Sequence, residues 1–162
     1  EAVKEFQTVT HIFPMLSLGN TYSTEELLEF DKRVHSLVNQ SLEYVCELKY
    51  DGVAISLIYE NGILLRAVTR GDGVQGDDVT QNIKTIKSIP LKLRGDFPEF
   101  FEVRGEVILP HKKFEQLNQD KEDIGEQPFA NPRNAASGST IQNSVRWRRV
   151  LDFSARKVGP NE

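Results

Sequence analysis

Cysteine is almost absent: Cys46 is the single one among 162 residues. No internal disulfide can form, which suits a reducing compartment. Histidine is scarce, and His11, His35 and His111 are too scattered to suggest a zinc site or a Ser-His-Asp triad. No apolar run approaches the roughly 20 residues of a membrane-spanning helix, and no basic-then-apolar signal peptide opens the chain. No membrane partner is expected. Positive charge is not in excess either: the formal net charge is −4, so any nucleic-acid contact must use a local basic patch. Repeats and low-complexity segments are lacking. What remains, at 38% hydrophobic and 27% charged, is the composition of an ordinary soluble protein, of a length that one domain fills.

The most informative stretch is Val45-Cys46-Glu47-Leu48-Lys49-Tyr50-Asp51-Gly52. Read as an extended strand, it puts Glu47, Lys49 and Asp51 on one face and Leu48 and Tyr50 on the other. Charges on a segment this apolar are costly when buried without partners. A solvated face accounts for them, and so does a lysine that attacks phosphorus. Lys-x-Asp-Gly alone is too short a pattern to decide.

Upstream, Phe13-Pro14-Met15-Leu16-Ser17-Leu18 is extended and Gly19-Asn20-Thr21-Tyr22 turns the chain. Ser23 with Glu26 forms a capping box, and Leu27, Phe30, Val34, Leu37 and Val38 recur at helical spacing. A helix is expected over about residues 24–39, with an apolar stripe for a sheet. Downstream, residues 53–59 and 63–69 flank Asn61-Gly62, the strongest short signal for a β-hairpin. The run that follows, Arg70-Gly71-Asp72-Gly73-Val74-Gln75-Gly76-Asp77-Asp78, is a loop that brings backbone close to something or a plain turn. A short helix with Val79, Ile83 and Ile86 follows, stopped at Pro90. Residues 100–109 form a strand with Glu102, Arg104 and Glu106 on one face and Val103 and Val107 on the other. Two strands each bearing a row of charges favour a polar site lined by sheet. Pro110 begins a helix that ends near Gly125, and small residues then surround Arg133. The tail, with Arg146, Trp147, Arg148, Arg149, Arg156 and Lys157, is the most basic stretch; it suits a solvated face or a phosphate backbone.

Six segments in order carry a resemblance: Pro14-Met15-Leu16-Ser17-Leu18, Glu47-Leu48-Lys49-Tyr50-Asp51-Gly52, Thr69-Arg70-Gly71-Asp72-Gly73, Gly76-Asp77-Asp78-Val79-Thr80, Glu102-Val103-Arg104-Gly105-Glu106 and Asn131-Pro132-Arg133-Asn134-Ala135-Ala136. Together they resemble the adenylation domain of bacterial NAD-dependent DNA ligases, from His11 to about Phe153. The resemblance implies an α+β nucleotidyltransferase (adenylation) fold, antiparallel sheets flanked by helices. It implies that Lys49 takes AMP from NAD, with Asp51 the acid beside it. Ser17, Leu18 and Glu47 resemble adenine-side contacts, Arg70 the arginine near ribose and phosphate, and Glu106 the ribose carboxylate. Arg133 resembles the arginine on the 5′-phosphate side of nicked double-stranded DNA. Mg²⁺ is the implied cofactor beside NAD, with no ligand residue assigned to it. A monomer in the bacterial cytoplasm, acting in replication and repair, completes the expectation.

The family's nicotinamide mononucleotide-binding domain, later lysine motifs, and OB, zinc-finger, helix-hairpin-helix and BRCT modules are not found in residues 1–162. The chain is therefore read as a partial adenylation domain, expected to be inactive in nick sealing by itself. Ile141 stands where the family usually has a basic residue. An ATP-dependent ligase or capping-type nucleotidyltransferase shares Lys-x-Asp-Gly, but Arg70-Gly71-Asp72-Gly73 and the segment around Arg133 favour the NAD branch. A non-catalytic remnant that binds nucleotide or a nick is the other alternative, with Lys49 and Glu106 speaking against it.

Overall fold

The computed structural model describes residues 6–38, 40–141 and 152–156, the side chains of 139–141 and 152–156 excepted. The basic tail residues Arg146, Trp147, Arg148, Arg149 and Lys157 lie outside the described residues. The chain divides into two compact units, Leu16–Lys49 and a larger one made of Glu1–Met15 with Tyr50–Glu162.

In the larger unit, strands β2 (Val53–Glu60), β3 (Ile63–Thr69), β5 (Phe100–Ile108) and β6 (Asp152–Arg156) form an antiparallel sheet of order β3-β2-β5-β6. The β2–β3 turn is the expected one, with Asn61 at φ 49° and Gly62 at φ 74°, the left-handed pair that the twist of a hairpin requires. Strand alternation gives the sheet two unlike faces. Ile55, Leu57, Tyr59, Ala67 and Val107 are buried on one side in a cluster with Ile83, Ile86, Ile89, Leu117, Ala135 and Ala136. The last six come from α2 (Thr80–Ile83) and the turns after it, α3 (His111–Asp123) and α4 (Pro132–Ile141). The opposite face carries Ser56, Glu102, Arg104 and Glu106. The alternation expected at residues 100–109 therefore holds, and the resulting architecture is mixed α and β with antiparallel pairing throughout.

Two short strands, β1 (Thr8–Thr10) and β4 (Gln75–Asp77), pair antiparallel in a second sheet that the sequence did not announce. They frame the glycine-rich loop. Gly71 lies at φ 56° and Gly73 at φ 95°, and a Cβ on Gly71 would strike the Gln75 carbonyl. Gly76 has ordinary φ, but a Cβ there would strike the Thr69 carbonyl. Inside the loop Asp72 Oδ1 accepts the amides of Val74 and Gln75, both at 2.8 Å. The next motif residues close the structure: Asp78 Oδ1 accepts the Thr80 amide at 3.0 Å, and Thr80 Oγ1 accepts the Ala67 amide at 2.9 Å.

α4 is a second element absent from the sequence reading. Asn131 caps it, its Oδ1 accepting the Asn134 amide at 2.8 Å, and Ala135 and Ala136 let it lie close on the core. β6 is a third, within the stretch read as a basic tail.

In the smaller unit α1 (Thr24–Leu37) starts where the capping box put it. Ser23 Oγ accepts the Glu26 amide at 3.2 Å, while the Glu26 carboxylate takes the Tyr22 amide at 2.7 Å. The expected covered stripe is not seen: none of its residues is buried. Phe30 instead meets Tyr44, ring centroids 6.3 Å apart, and Tyr44 donates to Asp31 at 2.8 Å.

The strand expected across residues 45–51 is corrected by the structure, which has no strand between residues 41 and 52. The register gives the reason. Val53 pairs with Val107, so residue 51 would face Leu109 and residue 49 would face His111, already the start of α3. On the other edge Ile55 pairs with Thr69, so residue 53 would meet the glycine loop. Both neighbours end before a ladder can extend back to Lys49, and strand alternation does not apply there.

Gly71→Ala is expected to cost about 1 kcal/mol or more in chemical denaturation, because a side chain cannot adopt this φ without strain; unchanged stability would show the loop to be a plain connector. The amides of Gln75, then Val74, hold the Asp72 carboxyl below its ordinary 3.8. A depressed folded-state pKa gives stabilisation that is complete above the ordinary value and lost as pH falls through the lowered one. Asp72→Ala should therefore be the less stable protein at neutral pH, with the gap closing in acid; a gap independent of pH would contradict the assignment.

Candidate nucleotide site

Register aligns the polar face in rows that cross the strands. Glu106 is the partner of Ala54, and the Arg70 amide donates to the Ala54 carbonyl at 3.1 Å, continuing that row one residue past β3. Arg70, Ala54 and Glu106 thus stand side by side, a cation and a carboxylate flanking a methyl group. Both ionic residues are half-buried. The small Ala54 leaves room between them, a feature that alternation implies but that no motif singled out. The neighbouring row pairs Ser56 with Arg104, and the next pairs Ile58 with Glu102.

Asp51 lies just before this sheet, in the same unit, and Arg133 Nη1 donates to its Oδ1 at 3.3 Å. The two residues are 82 positions apart in sequence. Their side chains are 74% and 57% exposed respectively, so the pair adds only about 0–1 kcal/mol to stability. Its content is positional. It joins Asp51 to the N-terminal turn of α4.

Lys49, Glu47, Ser17 and Leu18 belong to the smaller unit and are exposed. Leu48, between the charged pair, is 79% exposed. Arg70, Glu106, Asp51 and Arg133 belong to the larger unit, where the structure brings them together in the two groups just described. Ile141 closes α4.

Reading from sequence left some polar residues without a role. Ser56 is buried and donates to Glu102 at 2.8 Å, and Glu102 accepts from Arg104 at 2.8 Å. His11 Nε2 lies 3.1 Å from the Arg70 carbonyl oxygen. Alternation along β2 and β5 could have found the first three; nothing in the sequence pointed to His11. A depression of about 350 Å³ lies elsewhere, lined among others by Phe6, Arg66, Asp78 and Lys84. It contains none of the candidate residues. Among the described residues no group of three or more His, Cys, Asp or Glu side chains could hold a metal, and no helix is long and apolar enough to cross a membrane.

Comparison with known proteins agrees with the six segments. The family described as NAD-dependent DNA ligase adenylation domain matches residues 3–162. The DNA ligase of Cytophaga hutchinsonii is 62% identical over 152 residues, which are 92% of this chain and 23% of that protein. The DNA ligase of Flavobacterium psychrophilum is 61% identical over 152 residues, again 92% and 23%. That of Parabacteroides distasonis is 61% identical over 142 residues, 87% and 21%. The chain thus spans less than a quarter of the length of these curated relatives, and over the part it does span it belongs to the NAD-dependent DNA ligase adenylation-domain family.

Proposed function

We propose that this chain forms the AMP-accepting part of an NAD-dependent DNA ligase, with the nucleotidyltransferase arrangement of its sheets and Lys49 as nucleophile. The observation that carries the reading most directly is the Asp51–Arg133 contact. It brings into one place two segments of the resemblance whose neighbourhood no local rule could predict. The Arg70–Ala54–Glu106 row adds a cation and a carboxylate set apart by a small residue, a shape suited to a ribose and its phosphate.

In the proposed first step the neutral Lys49 amine forms a nitrogen–phosphorus bond to the adenylyl phosphorus of NAD. The bond from that phosphorus to the bridging oxygen breaks, nicotinamide mononucleotide leaves with the electron pair, and the attacking nitrogen releases one proton to water or to the departing phosphate. Lysine is a nucleophile only without its proton, and its ordinary pKa is about 10.4. Ser17, Leu18 and Glu47 would hold the adenine, Glu106 the ribose hydroxyls, and Arg70 the phosphate side. Mg²⁺, when bound, would neutralise charge on phosphate oxygens; Mg²⁺ commonly takes one or two carboxylates together with substrate phosphates, and exposed Asp51 fits that habit. In the later steps AMP passes from lysine to the 5′-phosphate of a nick in double-stranded DNA, and the 3′-hydroxyl displaces it. Arg133 would serve there, leaving Asp51 for the incoming phosphate. A monomeric enzyme working in the bacterial cytoplasm fits this reading.

In a full-length ligase carrying this sequence, incubation with NAD and Mg²⁺ should add the mass of one AMP to the protein, and Lys49→Ala should abolish the adduct. Persistence of the adduct in that variant would remove Lys49 from the mechanism. Arg133→Ala should retain the adduct but seal a pre-adenylated nick about 10²–10³ more slowly, the usual loss when one charge-stabilising donor is removed. Equal sealing rates would take Arg133 away from the DNA phosphate.

A further inference from the structure

The row of charges on β5 contains a residue that the nucleotide reading does not use. All three guanidinium nitrogens of Arg104 donate inside the larger unit. Its Nε donates to Glu102 Oε1 at 2.8 Å, its Nη1 to the Pro14 carbonyl at 2.9 Å, and its Nη2 to the Phe13 carbonyl at 2.6 Å. Glu102 has only 8% of its side chain exposed, and its Oε1 also accepts from the Ser56 hydroxyl at 2.8 Å. A carboxylate so enclosed aims the guanidinium, and the guanidinium grips two successive carbonyls some 90 positions away in sequence.

The gripped segment is held from its other side too. The Met15 amide donates to the Gly73 carbonyl at 2.8 Å and the His11 amide to the Val74 carbonyl at 2.9 Å. Met15 is buried. Residues 11–15 are therefore fastened between the polar face of the sheet and the glycine-rich loop. His11 Nε2 also lies 3.1 Å from the Arg70 carbonyl oxygen, so the same segment backs the loop that carries Arg70.

From this geometry we infer that Arg104 is a positioning residue for nucleotide binding. Aimed by Glu102 and Ser56, it fastens residues 11–15, which in turn hold the glycine-rich loop, and so keeps Arg70 in its row with Ala54 and Glu106. The inference rests on the proposed nucleotide reading and adds a residue to it. Lysine is a poor substitute, because a tetrahedral ammonium cannot serve a carboxylate and two carbonyls in one plane.

The test uses Arg104→Ala, Arg104→Lys and Ser56→Ala in a full-length ligase carrying this sequence. Hydrogen exchange follows the Met15 and His11 amides, with the Leu57 amide as an internal reference, and kinetics separate KM for NAD from kcat of lysine adenylation. Arg104→Ala should lose protection at Met15 and His11 but not at Leu57. Its KM should rise by about tenfold or more, the scale of one charge-assisted hydrogen bond, with a smaller change in kcat. Arg104→Lys should recover part of the loss, and Ser56→Ala should shift KM in the same direction by less. Unchanged Met15 protection overturns the inference, and so does an unchanged KM once protection is lost. If Arg104→Ala does not fold, Arg104→Lys decides: a KM equal to that of the parent overturns the inference. Lys49→Ala is assayed alongside. Adenylation surviving in that variant means that the nucleotide reading itself has failed, whatever Arg104 does.

Discussion

The register of β2 between β3 and β5 is the constraint on which the larger unit depends. Side chains on a strand alternate, so a slip of one residue would send Ile55, Leu57 and Tyr59 to the polar face and drive Ser56 into the core. Each large apolar side chain so displaced would forgo about 1.5–3 kcal/mol of burial. On β5 the same slip would carry Glu102, Arg104 and Glu106 towards the helices, where unpaired charge is far more costly. Hydrophobic burial on one face thus fixes the position of every polar group on the other. The Arg70–Ala54–Glu106 row is a consequence of core packing, not a separate achievement of the site.

Around that sheet the irregular segments are held by backbone hydrogen bonds and by short polar side chains. Asp72 closes the glycine-rich loop on itself, Thr80 receives the Ala67 amide, and β1 and β4 tie residues 8–10 to that loop. Charge takes two forms in this scaffold. Where it is exposed, as at Asp51 and Arg133, it can be redirected to a ligand at little cost. Where it is enclosed, as at Glu102, it is bonded to Arg104 and Ser56 and acts as structure. The two kinds of ion pair lie in one unit and suit different tasks.

Much of this was legible in the residues because the signals were local. Asn61-Gly62 gave the hairpin, Ser23 with Glu26 gave the start of α1, and alternation gave the two faces of β5. The motif carrying Asp78 and Thr80 was visible as a pattern, but its work proves to be loop closure, and only the Ala67 amide on Thr80 and the Arg66–Asp78 ion pair at 3.4 Å reveal that. The strand expected through Lys49 failed because alternation in sequence cannot tell where neighbouring strands end: β5 stops at Ile108 and β3 at Thr69. α4 was hidden because Asn131, Pro132 and a run of small residues read equally well as a loop; what makes the helix is the cap and the close approach that the two alanines permit. The contact of Asp51 with Arg133 is long-range and had no local signature at all.

The central claim is that the polar face of the β3-β2-β5 sheet receives the nucleotide. Titration of the isotopically labelled chain with AMP up to millimolar concentration, followed amide by amide in NMR spectra, tests it most directly. The account predicts the largest shifts at Ala54, Arg70 and Glu106, with little change at Leu117, Ala135 and Ala136 on the helix side. Shifts centred on the helix side, or none anywhere at those concentrations, would contradict it.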